Sequence, residues 1–143
     1  YIITGGLKDF VGNLSVAKHF EGVYGTPVIF NQDGRISGMG EAVTDDKKVD
    51  VVKEILKSNG READDCRGVA FIGDGYSDAY SLRYVHEHGG IAIFVHQPNN
   101  DDAYYEHNKG VYEKLNQDGM IDYYLLADYR DNTPLNKILK RQD

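Results

Sequence analysis

Short apolar runs alternate along the chain with longer segments in which apolar residues recur every three or four positions. The short runs are typical of buried strands, and the longer segments are typical of amphipathic helices. Sustained alternation of this kind favours a mostly parallel sheet with helices on both faces, a Rossmannoid three-layer α/β/α fold. The predicted strands are residues 1–4, 27–30, 69–72, 91–95 and 123–127, and the predicted helices are residues 7–14, 16–19, 45–59, 78–88, 101–118 and 134–140.

One segment, residues 31–40, departs from this alternation. Turn-forming residues from Asn31 to Arg35 separate two short apolar stretches, which predicts a β-hairpin. The chain has 143 residues, of which 41% are hydrophobic, and this suits one α/β domain with a core. Because the chain opens inside a predicted strand, without an initiator Met, we expect that further residues precede Tyr1.

The charge balance is acidic, with 23 acidic against 16 basic residues and a formal net charge of −7. No cluster of Lys or Arg falls on a recognisable face, so a nucleic-acid partner is not expected. A cationic cofactor fits this balance better, although acidity that serves solubility alone is an equal alternative. No apolar run approaches the roughly 18 residues of a membrane span, and no signal peptide is recognisable. We therefore expect no membrane partner.

The single cysteine, Cys66, bears on the compartment of the protein. One cysteine cannot form a disulfide within the chain, which is compatible with the reducing cytosol and a cytoplasmic location. Cys66 lies in an acidic stretch before a predicted strand, where we expect a structural role rather than a nucleophile. The pattern carries no clear signal of oligomerisation, and the oligomeric state is left open.

Residues 73–78, Gly-Asp-Gly-Tyr-Ser-Asp, follow a predicted strand and open a predicted helix. The glycines allow a tight turn, and the N–H groups at the start of the helix favour an anion. Asp74 would supply a hard oxygen ligand for Mg²⁺, and Asp78 places a second carboxylate four residues later. A plain turn is the alternative, because Asp-Gly is ordinary turn chemistry. The pattern nevertheless indicates a place where a cation and a phosphate can meet.

Two further polar positions precede this turn in the chain. Thr4 ends the first predicted strand, where its hydroxyl and the N–H groups of Gly5 and Gly6 can hold a phosphoryl oxygen. Lys48 begins the helix after the hairpin, where a cation can neutralise charge on a transferring phosphoryl group. Each has a structural alternative: Thr4 as a helix N-cap, Lys48 as a solvated surface lysine, and Asp78 as a cap for its own helix. Their order, at the carboxyl ends of strands, favours a phosphate site.

These segments resemble the haloacid dehalogenase (HAD) superfamily of phosphohydrolases, and most closely its phosphoserine-phosphatase-like branch, across nearly the whole chain. Residues 1–6 (YIITGG) resemble the second family motif, a strand that ends in Ser or Thr. Residues 33–38 (DGRISG) resemble the hairpin before the third motif. Lys48 matches the third-motif lysine, and Lys47 is the less well registered candidate. Residues 73–78 (GDGYSD) resemble the fourth, metal-binding motif.

The resemblance implies a Mg²⁺-dependent phosphatase that hydrolyses a small-molecule phosphate ester through a phosphoaspartyl intermediate. Thr4 would then hydrogen-bond the transferring phosphoryl group, Lys48 would hold the charge of the nucleophile and phosphate, and Asp74 would ligate Mg²⁺. Asp78 would support the site. Ser77 lies where relatives often place an Asn that contacts substrate. Substrate specificity in this family lies largely in a cap domain, and the substrate therefore stays open.

The first family motif, Asp-x-Asp-x-Thr or Val, follows no strand of the chain. The nearest sequences, at Asp122 and around Asp128 and Asp131, have the wrong position or spacing. Family topology would place the missing strand at the centre of the sheet. We therefore expect residues 1–143 to be an N-terminally incomplete HAD-like core domain, without cap or nucleophile, and inactive alone. The alternative is a catalytically inactive HAD-like fragment or binding module.

Overall fold

The computed structural model describes residues 1–97 and 103–141. The chain forms a mixed α/β protein with parallel strand pairs and a hairpin, an arrangement compatible with a Rossmann-like fold. The strands are β1 (Ile2–Leu7), β2 (Val23–Thr26), β3 (Val28–Phe30), β4 (Ile36–Met39), β5 (Ala70–Gly73), β6 (Ile91–His96) and β7 (Tyr123–Leu126). The helices are α1 (Lys8–Gly12), α2 (Asp46–Ser58), α3 (Ala79–Glu87), α4 (Ala103–Gln117) and α5 (Pro134–Lys140), with 3₁₀ turns at Ser15–His19 and Tyr76–Asp78.

The chain divides into two compact units, Tyr1–Val51 and Val52–Asp143, and the division falls within α2. In the first unit β1 pairs in parallel with β2, and β3 pairs antiparallel with β4. The second pair confirms the hairpin predicted for residues 31–40. Its turn is held by Asn31, whose Oδ1 accepts hydrogen bonds from the N–H groups of Asp33 (3.0 Å) and Arg35 (2.9 Å).

In the second unit β5, β6 and β7 form a parallel sheet in that order. The central strand β6 packs on both sides: Ala92 and Phe94 against α3 and α4, and Ile93 and Val95 against α5. The carboxylate of Asp122 accepts a hydrogen bond from the N–H of Ala92 at 2.7 Å. Helices therefore cover both faces of this sheet, which is the layering that the sequence alternation predicts.

Several details of the strand predictions are wrong. β1 does not end at Thr4 but continues to Leu7, because it pairs with β2 through a register shift between Ile3 and Leu7. β2 itself was not predicted. The strands predicted at residues 1–4 and 69–72 are not fully buried: Tyr1 is 46% exposed and Phe71 is half-buried. In the described part of the chain both β1 and β5 are edge strands, which explains this exposure.

The helices follow the predicted periodicity more closely. α2, α3 and α5 lie where they were expected, and α5 begins at Pro134 behind an N-cap at Thr133. The observed helix in the region predicted as helix 7–14 is shorter, and it consists of α1 alone. Asp101, the predicted start of α4, lies outside the described residues. In residues 1–97 and 103–141, no helix is both long enough and apolar enough to cross a membrane.

Candidate functional site

The acidic loop after β5 is organised by its own two carboxylates. β5 ends at Gly73, and Asp74 follows as an exposed residue at the carboxyl end of the strand. Asp78 is buried, and its Oδ2 accepts a hydrogen bond from the N–H of Asp74 at 3.0 Å. The Asp78 side chain makes no capping hydrogen bond to α3. Asp78 thus stands at the N-cap position of α3, but its carboxylate does not cap the helix and instead holds the loop in shape.

Gly73 leaves the space in which Asp78 lies. A Cβ atom at Gly73 would be 2.5 Å from the Cβ and 2.8 Å from the Cγ of Asp78. Such distances are far below van der Waals contact, so any larger residue would displace the Asp78 carboxyl group. The glycine is thus required by close approach rather than by an unusual backbone dihedral.

Tyr129 is a neighbour of this loop that sequence reasoning did not select. Partial burial raises the pKa of Tyr129, and the negative charge of Asp74 raises it further. The phenol therefore lies close enough to the Asp74 carboxylate to sense its charge. Tyr129 follows β7, and the carboxyl ends of parallel strands share one edge of a sheet. Its position just after the predicted strand 123–127 is the sequence signal that could have identified Tyr129.

Thr4 and its glycines form a compact turn inside β1. The Oγ1 of Thr4 accepts a hydrogen bond from the N–H of Gly6 at 3.0 Å. The N-cap of α1 is Leu7, which makes no side-chain capping bond, so Thr4 is not the N-cap of that helix. The N–H of Gly6 is used within the turn, whereas a phosphate contact from Gly5 stays a prediction. A hydroxyl that accepts one hydrogen bond still has its hydrogen to donate.

Thr26, at the end of β2, links the Thr4 turn to the segment that leads into α2. Its buried hydroxyl donates to the carbonyl of Gly5 at 2.9 Å and accepts from the N–H of Val43 at 3.3 Å. A Cβ at Gly5 would also lie 3.2 Å from the methyl group of Thr44. The first unit therefore brings the Thr4 turn beside the residues that precede α2. Sequence reasoning missed Thr26 because β2 was not predicted.

Lys48 lies in the first turn of α2 and is only 5% exposed. The alternative of a solvated surface lysine is therefore wrong. The adjacent Lys47 has 42% of its side chain exposed and forms an ion pair with Glu41 at 3.1 Å. The hydrogen bond that Lys47 donates to the Glu41 carboxylate raises the pKa of Lys47 above its ordinary value. Of the two candidate lysines, Lys48 is buried, whereas Lys47 is ion-paired with Glu41 at the surface.

The predicted site residues fall in both compact units. Thr4 and Lys48 belong to the first unit, and Asp74 and Asp78 belong to the second. Ser77 lies half-buried in the 3₁₀ turn between the two aspartates. Within each unit the structure brings the expected segments together, and the gathering of all these residues in one site stays a prediction.

Asp128 and Asp131, which lie in one of the sequences nearest to the missing first motif, are held in local ion pairs. Asp128 accepts hydrogen bonds from the side chain of Arg130 at 2.9 and 2.6 Å, which lower the pKa of its carboxyl group to about 2. Asp131 pairs with Lys140 at 3.0 Å. A carboxylate bound in this way is a poor nucleophile, because the pairing stabilises the charge that would attack.

The donors for a cation are few. In the described ranges of the chain, no three His, Cys, Asp or Glu side chains form a group that could hold a metal ion. Mg²⁺ typically takes one or two protein carboxylates and completes its coordination with phosphate oxygens and water. Asp74 is an exposed residue whose N–H binds the carboxylate of the buried Asp78, and its own carboxyl group is of the donor type that Mg²⁺ takes from proteins.

The fold and the site define an α/β protein with a carboxylate loop at the end of a parallel strand. Comparison with known proteins adds nothing to this description: no family model, no curated protein and no solved structure matches the chain.

Proposed function

We propose that this chain is the HAD-like core of a Mg²⁺-dependent phosphomonoesterase of the phosphoserine-phosphatase-like kind, which acts on a small-molecule phosphate ester. The observation that carries the proposal is the loop after β5. There the Asp78 carboxylate accepts a hydrogen bond from the N–H of Asp74 at 3.0 Å, and Asp74 is an exposed residue at the carboxyl end of the strand. This is the arrangement that a carboxylate needs to meet a cation and a phosphate together.

The proposed reaction has two steps and uses an aspartate nucleophile outside residues 1–143. Its carboxylate oxygen attacks phosphorus, the bond from phosphorus to the ester oxygen breaks, and the alcohol leaves with a proton from a general acid. Water then attacks the acyl phosphate, which releases inorganic phosphate and restores the carboxylate. Bound Mg²⁺ supplies charge neutralisation for the phosphoryl oxygens.

In the proposed reaction, the residues of this chain bind and orient the phosphate ester and its metal ion. The Oγ1 of Thr4 accepts a hydrogen bond from the N–H of Gly6 at 3.0 Å. The O–H of Thr4 would donate a hydrogen bond to a phosphoryl oxygen. Lys48 is buried, so its charge acts in a low-dielectric setting where it neutralises a phosphoryl group more strongly than a solvated lysine would. Asp74 supplies the carboxylate for the metal, and Asp78 keeps the loop in place. Ser77 lies between them as a substrate contact.

A metal-binding experiment on the 143-residue chain tests the site without any need for turnover. Mn²⁺ is added to ¹⁵N-labelled protein, and paramagnetic broadening of amide signals is measured. We expect the strongest broadening at residues 73–75 and its loss in Asp74→Asn. Asp33→Asn, in the exposed hairpin turn, is the matched control and should behave as the wild type. Broadening that survives Asp74→Asn would mean that Asp74 is not a ligand.

An activity measurement tests the reaction itself. In the complete protein that carries this chain, hydrolysis of 4-nitrophenyl phosphate with Mg²⁺ should fall on the order of 10²–10³-fold in Asp74→Asn and in Lys48→Ala, by analogy with the loss of one oxyanion-hole donor. The 143-residue chain should show no turnover. Mn²⁺ binding without activity in the complete protein would favour a catalytically inactive binding module.

A further inference from the structure

A groove between α3 and α4 in the second unit is lined by none of the residues assigned to the phosphatase site, although one lining residue, Tyr76, lies in the same loop. Its volume is about 470 Å³, within the range of roughly 300–1,000 Å³ that is typical of small-molecule pockets. Apolar side chains from both helices and two tyrosines form most of its lining. The described residues that line it are Tyr76, Ala79, Tyr80, Arg83, Val111, Lys114 and Leu115.

The aromatic rings of the groove are open to solvent. Tyr76 is 56% exposed and Tyr80 is 53% exposed, although both are large side chains that can bury apolar area. The ring of His107 lies 5.8 Å from the ring of Tyr76. Such rings offer flat surfaces against which a planar ligand can stack, and the apolar side chains of Ala79 and Leu115 line the same groove.

The charges of the groove are positive. Its described lining residues include two cations, Arg83 and Lys114, and no carboxylate. Both cations pair with Asp118 outside the lining, Arg83 at 2.7 Å and Lys114 at 3.5 Å. The hydrogen bond from Arg83 lowers the pKa of Asp118, which therefore stays ionised and holds the guanidinium in place. One positive charge is left over, and Lys114, with 70% of its side chain exposed, is the cation that can turn to a ligand.

We propose that this groove binds small planar aromatic anions, with the ring against Tyr76 and Tyr80 and the anionic group at Lys114. Two cations and no carboxylate among the described lining residues contrast with a chain whose formal net charge of −7 disfavours anion binding on average. A neutral aromatic would lack the charge contact, and a compact anion would lack the stacking. The proposal does not depend on the phosphatase function, since it needs neither metal nor phosphate.

The test is a titration of the ¹⁵N-labelled 143-residue chain, without metal, with naphthalene-2-sulfonate. We expect amide shifts that map to residues 76–83 and 111–115 and saturate in the millimolar range or below. The neutral 2-naphthol and the non-aromatic methanesulfonate should each bind more weakly. Added NaCl should weaken the sulfonate and leave 2-naphthol unchanged, because salt screens exposed charges.

Two variants separate stacking from charge. Tyr80→Ala should weaken sulfonate binding about three- to tenfold, the range expected for one aromatic contact. Lys114→Gln should weaken it about two- to fivefold and remove the salt dependence. Tyr123→Ala is the matched control, since Tyr123 is 40% exposed on β7 and does not line the groove. Shifts that map elsewhere, an absence of saturable shifts, or equal weakening by Tyr123→Ala would overturn the proposal.

Discussion

Gly73→Ala should destabilise the second unit, because the added methyl group has no room. The Cβ would lie 2.5 Å from the Cβ, 2.8 Å from the Cγ and 3.0 Å from the Oδ2 of Asp78. The nearest atoms belong to the short side chain of a buried residue at the start of α3, which cannot swing aside as the end of a long side chain can. Either β5 or the carboxyl group must move.

The magnitude follows from one of two alternative costs, reduced by one stabilising contribution. Overpacking of a close-packed site costs about 1–3 kcal/mol. If the Asp78 carboxyl group moves instead, the hydrogen bond from the N–H of Asp74 is lost, and hydrogen bonds to charged groups contribute about 1.5–3 kcal/mol. The smaller conformational freedom of alanine in the unfolded chain offsets about 0.4–1 kcal/mol. We therefore expect the free energy of unfolding of Gly73→Ala to fall by about 1–2 kcal/mol.

Urea denaturation followed by circular dichroism measures this change, and the amide shift of Asp74 reports the hydrogen bond. Gly110→Ala is the matched control in the same unit: Gly110 lies within α4, and a Cβ there would meet nothing within 4 Å. That variant should raise stability by about 0.8–1 kcal/mol, the helix-propensity difference between alanine and glycine. The reasoning is refuted if Gly73→Ala is as stable as the wild type while the Asp74 amide signal stays in place.

Two further outcomes can be measured on the same chain. The pKa of Asp128 is lowered from 3.8 to about 2, first by the side-chain hydrogen bond from Arg130, so its stabilising effect is full above pH 3.8 and is lost as the pH falls through about 2. The difference in unfolding free energy between wild type and Arg130→Gln should shrink over that pH window, and a difference independent of pH would contradict the assignment. Cys66 is fully buried and burial raises the pKa of its thiol, so iodoacetamide should label it slowly in the native chain and rapidly in urea; equally fast labelling in both would contradict the burial.

Elements with strong local signals were predictable from the sequence. α5 follows from Pro134 behind the capping residue Thr133, and the hairpin follows from the turn residues after Asn31. β2 was missed because its four residues, Val-Tyr-Gly-Thr, are short, and Gly25 interrupts the apolar pattern. Its strand character comes from parallel pairing with β1, and a local pattern does not contain that pairing.

The candidate site was predictable in its residue types but not in their contacts. The position of Asp74 after a strand could be inferred, whereas the bond from its N–H to Asp78 depends on the space beside Gly73. The burial of Lys48 beside the exposed Lys47 depends on which face of α2 is covered. Such differences arise from tertiary packing, which one sequence without its fold does not reveal.

The two-sided burial of β6 leaves its alignment in the sheet under-determined by hydrophobicity. From Ala92 to Val95 every side chain is apolar, so a slip by one position would exchange the two cores and keep all four residues buried. The bond from the N–H of Ala92 to the Asp122 carboxylate at 2.7 Å is specific to the observed alignment, because a slip by one position would move this N–H away from the carboxylate. A polar residue just before a neighbouring strand thus favours the native alignment over one that would bury the same apolar residues.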